Sequence, residues 1–158
     1  MAKRERPKYN AVGLPIKWFG LADGNSFYCS CEVSQKPWLD GRPMIVASNS
    51  DKIAIALNRQ AKAIGLKLGD LLFEHVNTIR QHKILIFPSN YELYGNMSAD
   101  MHTALASFEQ NYDLSSIDEA FMYFTGYDLV DLYEYGPKLM NTIRVGIWIA
   151  IAVGIDPS

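Results

Sequence analysis

The stretch LSSIDEAFMYFTG, residues 114 to 126, decides the fold, because two β-rich runs flank a turn that carries adjacent acids. Asp118 and Glu119 stand in a segment that is otherwise typical of a buried strand. Burying a charge costs on the order of several kcal/mol unless a cation or hydrogen-bond donors compensate it. Two interpretations therefore stand: the pair lies in a hairpin turn and faces water, or it binds a divalent metal ion.

Apolar runs on either side of this stretch predict the other strands of a sheet. Residues 16 to 23, IKWFGLAD, predict a buried strand whose C-terminal end carries Asp23. Residues 147 to 155, IWIAIAVGI, predict another buried strand, since they fall far short of the roughly 20 residues that cross a bilayer. Shorter strands are expected within residues 42–49, 52–57 and 83–90.

Helical patterns separate these strands. The segment NSFYCSCEV predicts a helix with Asn25 or Ser26 as its N-cap. From Tyr91 to about Gln110, apolar residues recur at spacings of three and four, which predicts a long amphipathic helix. Two shorter helices are expected at residues 58–65, closed by Gly65, and near residues 137–146, with Pro137 in the first turn.

The order of these elements indicates the architecture. Without the middle insertion, the chain runs strand, helix, strand, strand, helix, strand, which is the split βαβ arrangement. The sequence therefore predicts an α/β (α+β) fold, a ferredoxin-like βαββαβ sheet with a small inserted subdomain. Such a sheet can bring the end of its first strand, at Asp23, beside the central hairpin turn that carries Asp118 and Glu119.

Three carboxylates at one sheet end would repel one another strongly without a cation. Adjacent residues of a regular strand point to opposite faces, so Asp118 and Glu119 converge only if the backbone turns or bulges there. Oxygen ligands favour hard ions such as Mg²⁺ or Mn²⁺, and two such ions about 4 Å apart suit in-line displacement at phosphorus. The alternative is that these are unrelated, solvated acids.

Composition bounds the class of protein without choosing a function. The chain has 158 residues, 49% hydrophobic and 20% charged, which is typical of one globular domain. A formal net charge of −2 neither supports nor excludes nucleic-acid binding. Cys29 and Cys31, the only cysteines, stand two apart, which argues against a disulfide or a zinc site. We therefore expect a reduced, cytoplasmic protein without a membrane partner.

The first residues differ in character from the rest. Residues 1–15 include four cations, and no apolar core of a signal peptide precedes Val12. The sequence predicts a flexible basic tail, with nucleic-acid contact as the functional alternative. These cations are Lys3, Arg4, Arg6 and Lys8.

Five blocks occur together and in order along residues 19 to 155. They are FGLADGNSFYCSCE, RPMIVASNSD, AKAIGLKLGD, FPSNYELYGNMS and SIDEAF. With these blocks the chain resembles the Y-family translesion DNA polymerases of the UmuC type. The resemblance implies a palm at about 16–27 and 84–155 and fingers at about 28–83, together forming a UmuC-like catalytic domain at 16–155. It also implies that thumb and little-finger domains are absent from this chain.

The resemblance assigns roles to particular residues. Asp23, the backbone carbonyl of Gly24, Asp118 and Glu119 match the family's ligands for two Mg²⁺ ions, with Mn²⁺ as a substitute. Asp118 and Glu119 are the implied catalytic pair, Asp118 bridging the ions and Glu119 holding the ion that activates the primer 3′-hydroxyl.

Three further residues match nucleotide-binding positions of the family. Tyr28 falls at the steric gate, an aromatic ring that excludes a ribose 2′-hydroxyl, and Phe27 supports it. Lys62 falls where the fingers contact the incoming triphosphate. The alternatives are a half-buried core aromatic for Tyr28 and a solvated helix lysine for Lys62.

The sequence also departs from the family pattern. Leu57 replaces a usual arginine on the phosphate side, Gly24 replaces an apolar residue, and Tyr123 replaces a usual acid. The implied partners are primer-template DNA, a dNTP and a UmuD-like accessory subunit. Without a thumb and little finger to grip phosphates, we expect a feeble or inactive polymerase.

Two other functions stand as alternatives. The first is a noncatalytic interaction or regulatory remnant of a UmuC-type polymerase, which Leu57 favours. The second is another palm-type metal-dependent nucleotidyl transferase or cyclase, which fits the carboxylates but accounts for neither Tyr28 nor the SNYELYG block.

Overall fold

A computed structural model describes residues 11–109 and 111–157. Most of the predicted basic tail, residues 1–10, and the predicted helix end at Gln110 lie outside these residues. The strands are β1 (Lys17–Gly24), β2 (Met44–Ala47), β3 (Ala54–Leu57), β4 (Leu85–Pro88), β5 (Tyr112–Leu114), β6 (Glu119–Thr125) and β7 (Ile151–Pro157). The α-helices are α1 (Phe27–Gln35), α2 (Arg59–Ile64), α3 (Val76–Gln81), α4 (Tyr91–Phe108) and α5 (Leu129–Ile147).

The chain forms two compact units. The first unit comprises Met1–Gly24 and Ser98–Ser158, and the second comprises Asn25–Met97. The range 28–83, predicted as fingers, lies inside the second unit.

A four-stranded sheet organises the first unit. Its strand order is β5-β6-β1-β7, and every neighbouring pair is antiparallel. With the helices α4 and α5 in the connections, this is the order of a ferredoxin-like βαββαβ sheet, so the predicted fold class is confirmed. The central strands β1 and β6 pair over seven residues, from Lys17 opposite Thr125 to Asp23 opposite Glu119.

The two faces of this sheet differ because side chains alternate along each strand. The inner residues of β6, Ala120, Met122 and Phe124, are fully buried. Helix α5 packs on this side, where the Tyr135 ring meets the Phe124 ring edge-on at 5.4 Å between centroids. The opposite side, called the outer face here, is partly exposed. On β1 and β6 it carries Lys17, Phe19, Leu21, Asp23, Glu119, Phe121, Tyr123 and Thr125.

Helix α5 corrects the prediction for residues 137–146. It begins at Leu129, because Asp128 caps it: the Asp128 carboxylate accepts from the Asp131 backbone N–H, and Asp131 accepts from that of Asp128. Pro137 therefore lies inside the helix and not in its first turn. Within the described part of the chain, no helix is both long and apolar enough to span a bilayer.

The predicted strand at 147–155 was also placed too early. Trp148 adopts a left-handed conformation with φ 61° and ends α5, so β7 begins only at Ile151. Ala152 and Gly154 pair with Asp23 and Leu21 on the outer face and are exposed, so the strand is not buried throughout.

A three-stranded sheet, order β3-β2-β4, organises the second unit. All four residues of β2 are buried, and α2 is fixed at its start by the Asn58 side chain. Asn58 Oδ1 accepts from the backbone N–H groups of Ala61 at 3.1 Å and Met44 at 3.0 Å. As predicted, Gly65 ends α2, with φ 108°. Ser26 occupies the N-cap of α1, although its side chain makes no capping hydrogen bond there.

Close packing at Gly20 generates a prediction for stability. A Cβ at Gly20 would lie 2.9 Å from Cε2 of the fully buried Phe124 ring. We therefore expect Gly20→Val to lower the free energy of unfolding by about 1–3 kcal/mol, the usual cost of overpacking a core. Urea unfolding followed by circular dichroism measures this change.

A matched control lies on the neighbouring strand. A Cβ at Gly154 of β7 meets nothing within 4 Å. Gly154→Val should therefore leave stability unchanged or raise it, because valine favours strands. Equal losses in both variants would contradict the packing assigned to Gly20.

Candidate metal centre

Asp23 and Glu119 lie at the same end of the central strands. They are direct register partners in the antiparallel pairing of β1 with β6, so both side chains start from the outer face. Both residues are partly buried. Two carboxylates in this position repel each other unless a cation or a donor intervenes.

Asp118 joins this pair through the backbone. It lies in a bend one residue before β6, and its carbonyl accepts a hydrogen bond from the Gly24 N–H at 2.8 Å. Adjacent residues of a regular strand point to opposite faces, so both acids can approach Asp23 only if the backbone departs from that geometry. The bend at Asp118 is such a departure. The structure therefore brings together Asp23, Gly24, Asp118 and Glu119.

The nearby acids affect the pKa of the Asp23 carboxyl. Its pKa is raised above the ordinary value, first by partial burial and then by the negative charges of Asp118 and Glu119. Ionised Asp23 therefore carries an electrostatic cost in the folded chain, which a bound cation would reduce.

Serine hydroxyls of the β5–β6 turn hold the other two carboxylates. Ser115 Oγ donates to Glu119 Oε1 at 2.7 Å, and Ser116 Oγ donates to Asp118 Oδ1 at 2.8 Å. Among the residues that the structure describes, no three His, Cys, Asp or Glu side chains are grouped closely enough to hold a metal ion as they stand. Binding an ion would require these carboxylates to move closer together, although each has a second oxygen besides the one that accepts from serine.

The donor set nevertheless fits a hard divalent ion. Three carboxylates and a nearby backbone carbonyl supply oxygen only, which Mg²⁺ and Mn²⁺ prefer. Burial first, and then the negative charges of Asp118 and Glu119, raise the pKa of Asp23, and a bound cation would oppose this rise. The metal ligands stay a prediction, supported by chemistry and by the placement of the four residues.

Sequence reasoning missed a histidine that secures the turn. His102 of α4 is buried, and its Nε2 lies 3.2 Å from the Ser116 carbonyl oxygen. A carbonyl only accepts, so Nε2 carries the proton and donates it. The available signal was a histidine beside the apolar stripe of α4, next to Met101.

The residues predicted to bind the nucleotide lie in the second unit. Phe27 is buried at the start of α1, and the Tyr28 ring beside it is partly exposed. The Tyr28 ring stacks on the Tyr94 ring, with centroids 4.4 Å apart and planes inclined by 16°. Tyr91 approaches the Tyr28 ring edge-on at 6.1 Å. Tyr28 is thus a half-buried ring with a rigid aromatic support.

Tyr94 is fixed by a buried carboxylate. Its hydroxyl donates to Glu32 Oε1 at 2.9 Å, and both side chains are buried. Burial raises the pKa of Tyr94, and so does its interaction with Glu32. The Lys36 ammonium lies 3.9 Å from Glu32 Oε2 and offsets its charge. These contacts give Tyr94 a structural role in the second unit.

Lys62 is exposed on α2, as a phosphate contact or a solvated lysine would be. Its positive charge also acts on the buried Cys29 thiol. Burial raises the pKa of Cys29 to about 12, and the charge of Lys62 opposes this rise. Cys29 and Cys31 are both buried in α1, which suits small apolar core residues. Leu57, at the position of the family's arginine, is buried in the core of the second unit.

Comparison with known sequences identifies the family. The model of the impB/mucB/samB family matches residues 22–156. The protein UmuC of Salmonella typhimurium is 38% identical over 138 residues, which cover 87% of this chain and 33% of that protein. A DNA polymerase IV of Pelotomaculum thermopropionicum is 32% identical over 143 residues, which cover 87% of this chain and 35% of that protein.

Solved structures share the fold. An insertion ternary complex of Dbh DNA polymerase matches with a TM-score of 0.79 and 20% identity, over 89% of this chain and 43% of that chain. DinB from Sulfolobus solfataricus matches with a TM-score of 0.77 and 19% identity, over 89% of this chain and 42% of that chain. At these identities the likeness concerns the fold alone.

The family match covers nearly all the elements described above. It runs from the end of β1 through β7, and so includes both strand ends that carry the acids. The chain spans about a third of the length of the curated relatives it matches. By this match, the chain belongs to the impB/mucB/samB family.

Proposed function

We propose that this chain is the catalytic region of a UmuC-like translesion DNA polymerase acting in the cytoplasm during the DNA damage response. Its reaction is template-directed nucleotidyl transfer from a dNTP to a primer 3′-hydroxyl. The observation that carries the proposal is the meeting of Asp23, Asp118 and Glu119 at one end of the central strands. Membership of the family supports it.

The carboxylates would hold two Mg²⁺ ions, and Mn²⁺ would substitute. Bound there, the ions supply Lewis-acid stabilisation of charge on the transferred phosphoryl group. Asp118 would bridge them, Glu119 would hold the ion beside the primer 3′-hydroxyl, and Asp23 with the Gly24 carbonyl would complete the ligands. Phosphoryl transfer depends chiefly on such positioning and charge neutralisation.

The second unit would select the nucleotide. Tyr28 would present a ring that leaves no room for a ribose 2′-hydroxyl, and Phe27 beneath it would support that ring. The stack with Tyr94 holds the Tyr28 ring in one orientation, which a steric gate requires. Lys62 would place a cation near the triphosphate.

The proposed partners are primer-template DNA, a dNTP and a UmuD-like accessory subunit. Since the chain spans about a third of its relatives, we expect it to make few of the phosphate contacts that hold DNA. We therefore expect primer extension by the 158-residue chain to be feeble or absent.

A noncatalytic, regulatory role is the second candidate. One observation favours it: Ser115 and Ser116 donate hydrogen bonds to the Glu119 and Asp118 carboxylates within the β5–β6 turn. In that case Asp118→Ala would leave the biological function intact. The experiments below separate the two.

Primer extension tests the proposed reaction. With protein in excess over primer-template, Mg²⁺ and dNTPs, any extension by the parent should fall at least about a hundredfold in Asp118→Ala, because an electrostatic transition-state contact is lost. Gel analysis of the labelled primer measures the rate. Asp113→Ala removes an exposed carboxylate of the same hairpin and should keep the parental rate.

A robust parental rate that Asp118→Ala abolishes would contradict the expected feebleness and confirm the reaction. Extension that survives Asp118→Ala would contradict the assigned chemistry.

The raised pKa of Asp23 predicts how stability depends on pH. Its neutral form is favoured in the folded chain, so its contribution is fully present below the ordinary value of 3.8 and is lost as pH rises through the raised pKa. At pH 7 without metal, Asp23→Asn should therefore unfold at a higher temperature than the parent. Calorimetry from pH 4 to pH 7 measures the difference.

Mg²⁺ should reverse the order of unfolding temperatures, so that the parent unfolds at a higher temperature than Asp23→Asn. At ten times its dissociation constant it would stabilise the parent by about 1.4 kcal/mol and the Asn variant by much less. Asp100→Asn, which removes an exposed acid from α4, is the control and should behave like the parent. If neither Mg²⁺ nor Mn²⁺ raises the unfolding temperature of the parent protein, these carboxylates do not form a metal centre.

The stack on Tyr94 predicts the behaviour of a Tyr28 variant. Tyr28→Ala removes the ring and should raise incorporation of ribonucleotides relative to deoxyribonucleotides by at least about tenfold, the effect of relieving a steric clash of about 1.4 kcal/mol. Single-nucleotide incorporation with excess protein measures the ratio. Tyr91→Ala removes the edge-on neighbour, half of which is exposed, and should change the ratio far less. Equal ratios in the parent and Tyr28→Ala would refute the gate.

A further inference from the structure

The three-stranded sheet of the second unit has one covered edge and one open edge. The edge at β3 is covered, because the Ala54 N–H donates to the Asp70 carbonyl at 3.0 Å and the Gly69 N–H donates to the Ala54 carbonyl at 2.9 Å. Strand β4 forms the other edge, and no strand of the described residues pairs with its outer side. An edge of this kind can receive an added strand.

Hydrogen-bond acceptors predominate along the open edge. The Leu85 N–H donates to the Pro43 carbonyl at 3.0 Å, so odd-numbered residues of β4 bond to β2 and even-numbered residues point outward. Pro88 has no N–H, and the Ile84 N–H donates to the Ile79 carbonyl at 3.0 Å. In the described part of the chain, the outward groups that no hydrogen bond uses are the carbonyls of Ile84, Ile86 and Pro88 and the N–H of Ile86. The edge thus offers three acceptors but one donor.

An apolar groove lies beside this edge. Ile86 is in register with the core residue Ile45 of β2, so both side chains are on the face that carries the core of the second unit. The core is not closed there, since Ile86 is 42% exposed. Pro88 lines the groove next to Ile86, and Phe73 and Val76, 68% and 40% exposed, line it as well. Its volume of about 520 Å³ lies within the range of ligand sites.

The two ends of the groove carry opposite charges. Arg80 lines the groove near the start of β4, because the Arg80 carbonyl accepts a hydrogen bond from the Lys83 N–H. Asp51 also lines it and belongs to the turn after β2. That turn lies at the end of β4, where the Ser89 hydroxyl donates to Asn49 Oδ1 at 2.6 Å. Both charged side chains are on exposed residues.

An extended peptide matches these features. In β-strand addition, main-chain hydrogen bonds hold the peptide and alternate side chains enter pockets. A peptide strand can donate three N–H groups to the three edge carbonyls and accept from Ile86. We propose that the β4 edge binds an extended segment of a partner protein, antiparallel to β4. The segment has apolar side chains at alternate positions, a cation facing Asp51 and an acid facing Arg80.

Other occupants match the edge less well. Antiparallel pairing of two copies of the chain about Ile86 would set Ile84 of one copy opposite Pro88 of the other. Neither residue has an N–H to give, so the two bonds at Ile86 alone would form. A phosphate or carboxylate ligand needs donors, whereas this edge presents mainly carbonyl oxygens.

Binding of a model peptide tests the proposal. The probe is a fluorescently labelled KTVTVTE peptide with blocked ends. On β4 its lysine, valines and glutamate would face the groove, and the N–H groups of these same residues would face the edge. Fluorescence anisotropy with the 158-residue protein should show saturable binding. The assay contains neither DNA nor dNTP, so its result is independent of the proposed reaction.

N-methylated peptides separate strand pairing from nonspecific apolar binding. Methyl groups on the nitrogen atoms of the two valines remove N–H groups that face the edge. They should weaken binding at least about tenfold, the effect of losing two hydrogen bonds. Methyl groups on the two threonines that follow the valines remove N–H groups that face water, and should leave the affinity nearly unchanged.

Variants of the protein test the groove itself. Phe73→Ala removes an exposed ring and should weaken binding at least about fivefold without unfolding the protein. Trp38→Ala removes a ring of the second unit that is 75% exposed and does not line the groove, and should bind like the parent. Arg80→Glu should prefer the KTVTVTK peptide to KTVTVTE, the reverse of the parent's preference. Thermal unfolding of each variant verifies that it is folded.

Several results would overturn the proposal. They are no binding by the folded parent, equal weakening by both pairs of methyl groups, full affinity in Phe73→Ala, or an equal loss in Trp38→Ala. Sedimentation that shows a dimer of the parent, abolished by Phe73→Ala, would assign the groove to a second copy of the chain instead.

Discussion

Antiparallel pairing of β1 with β6 is the constraint on which the candidate site depends. It holds Asp23 opposite Glu119, and the bond from the Gly24 N–H to the Asp118 carbonyl extends it one step to the second acid. The pairing is fixed by the inner face, where Gly20 leaves room for the buried Phe124 ring. A slip of one residue would move every side chain of the strand to the other face, so packing of the core determines which carboxylates meet.

The same pairing brings carboxylates close together, which costs electrostatic free energy and does nothing to stabilise the fold. Three acids gather at one strand end, and the pKa of Asp23 rises because burial and two negative neighbours disfavour its charge. Serine hydroxyls donate to the other two acids, and His102 holds the turn through the Ser116 carbonyl. A carboxyl perturbed in this way supports the proposed cation site, since proteins commonly concentrate perturbed carboxylates at functional sites.

Much of this arrangement could be predicted from the sequence, because local patterns encode it. The order of apolar runs gave the ferredoxin-like sheet, and the adjacent acids Asp118 and Glu119 required the bend that the structure contains. Helix α5 was misjudged because Pro137 was taken as a start signal, whereas the capping pair Asp128 and Asp131 sets the start at Leu129, eight residues earlier. The contact of His102 with Ser116 could not be predicted, since it joins residues of separate elements through a backbone carbonyl.

The central claim is that Asp23, Asp118 and Glu119 form one electrostatic cluster that a divalent cation neutralises. The most direct measurement is an NMR titration of the Asp23 side-chain carboxyl carbon, with and without Mg²⁺. The account predicts a pKa above 3.8 without metal and a clear fall when Mg²⁺ is added. If Asp23 has its ordinary pKa without metal, and Mg²⁺ leaves that pKa unchanged, the three acids do not form such a cluster.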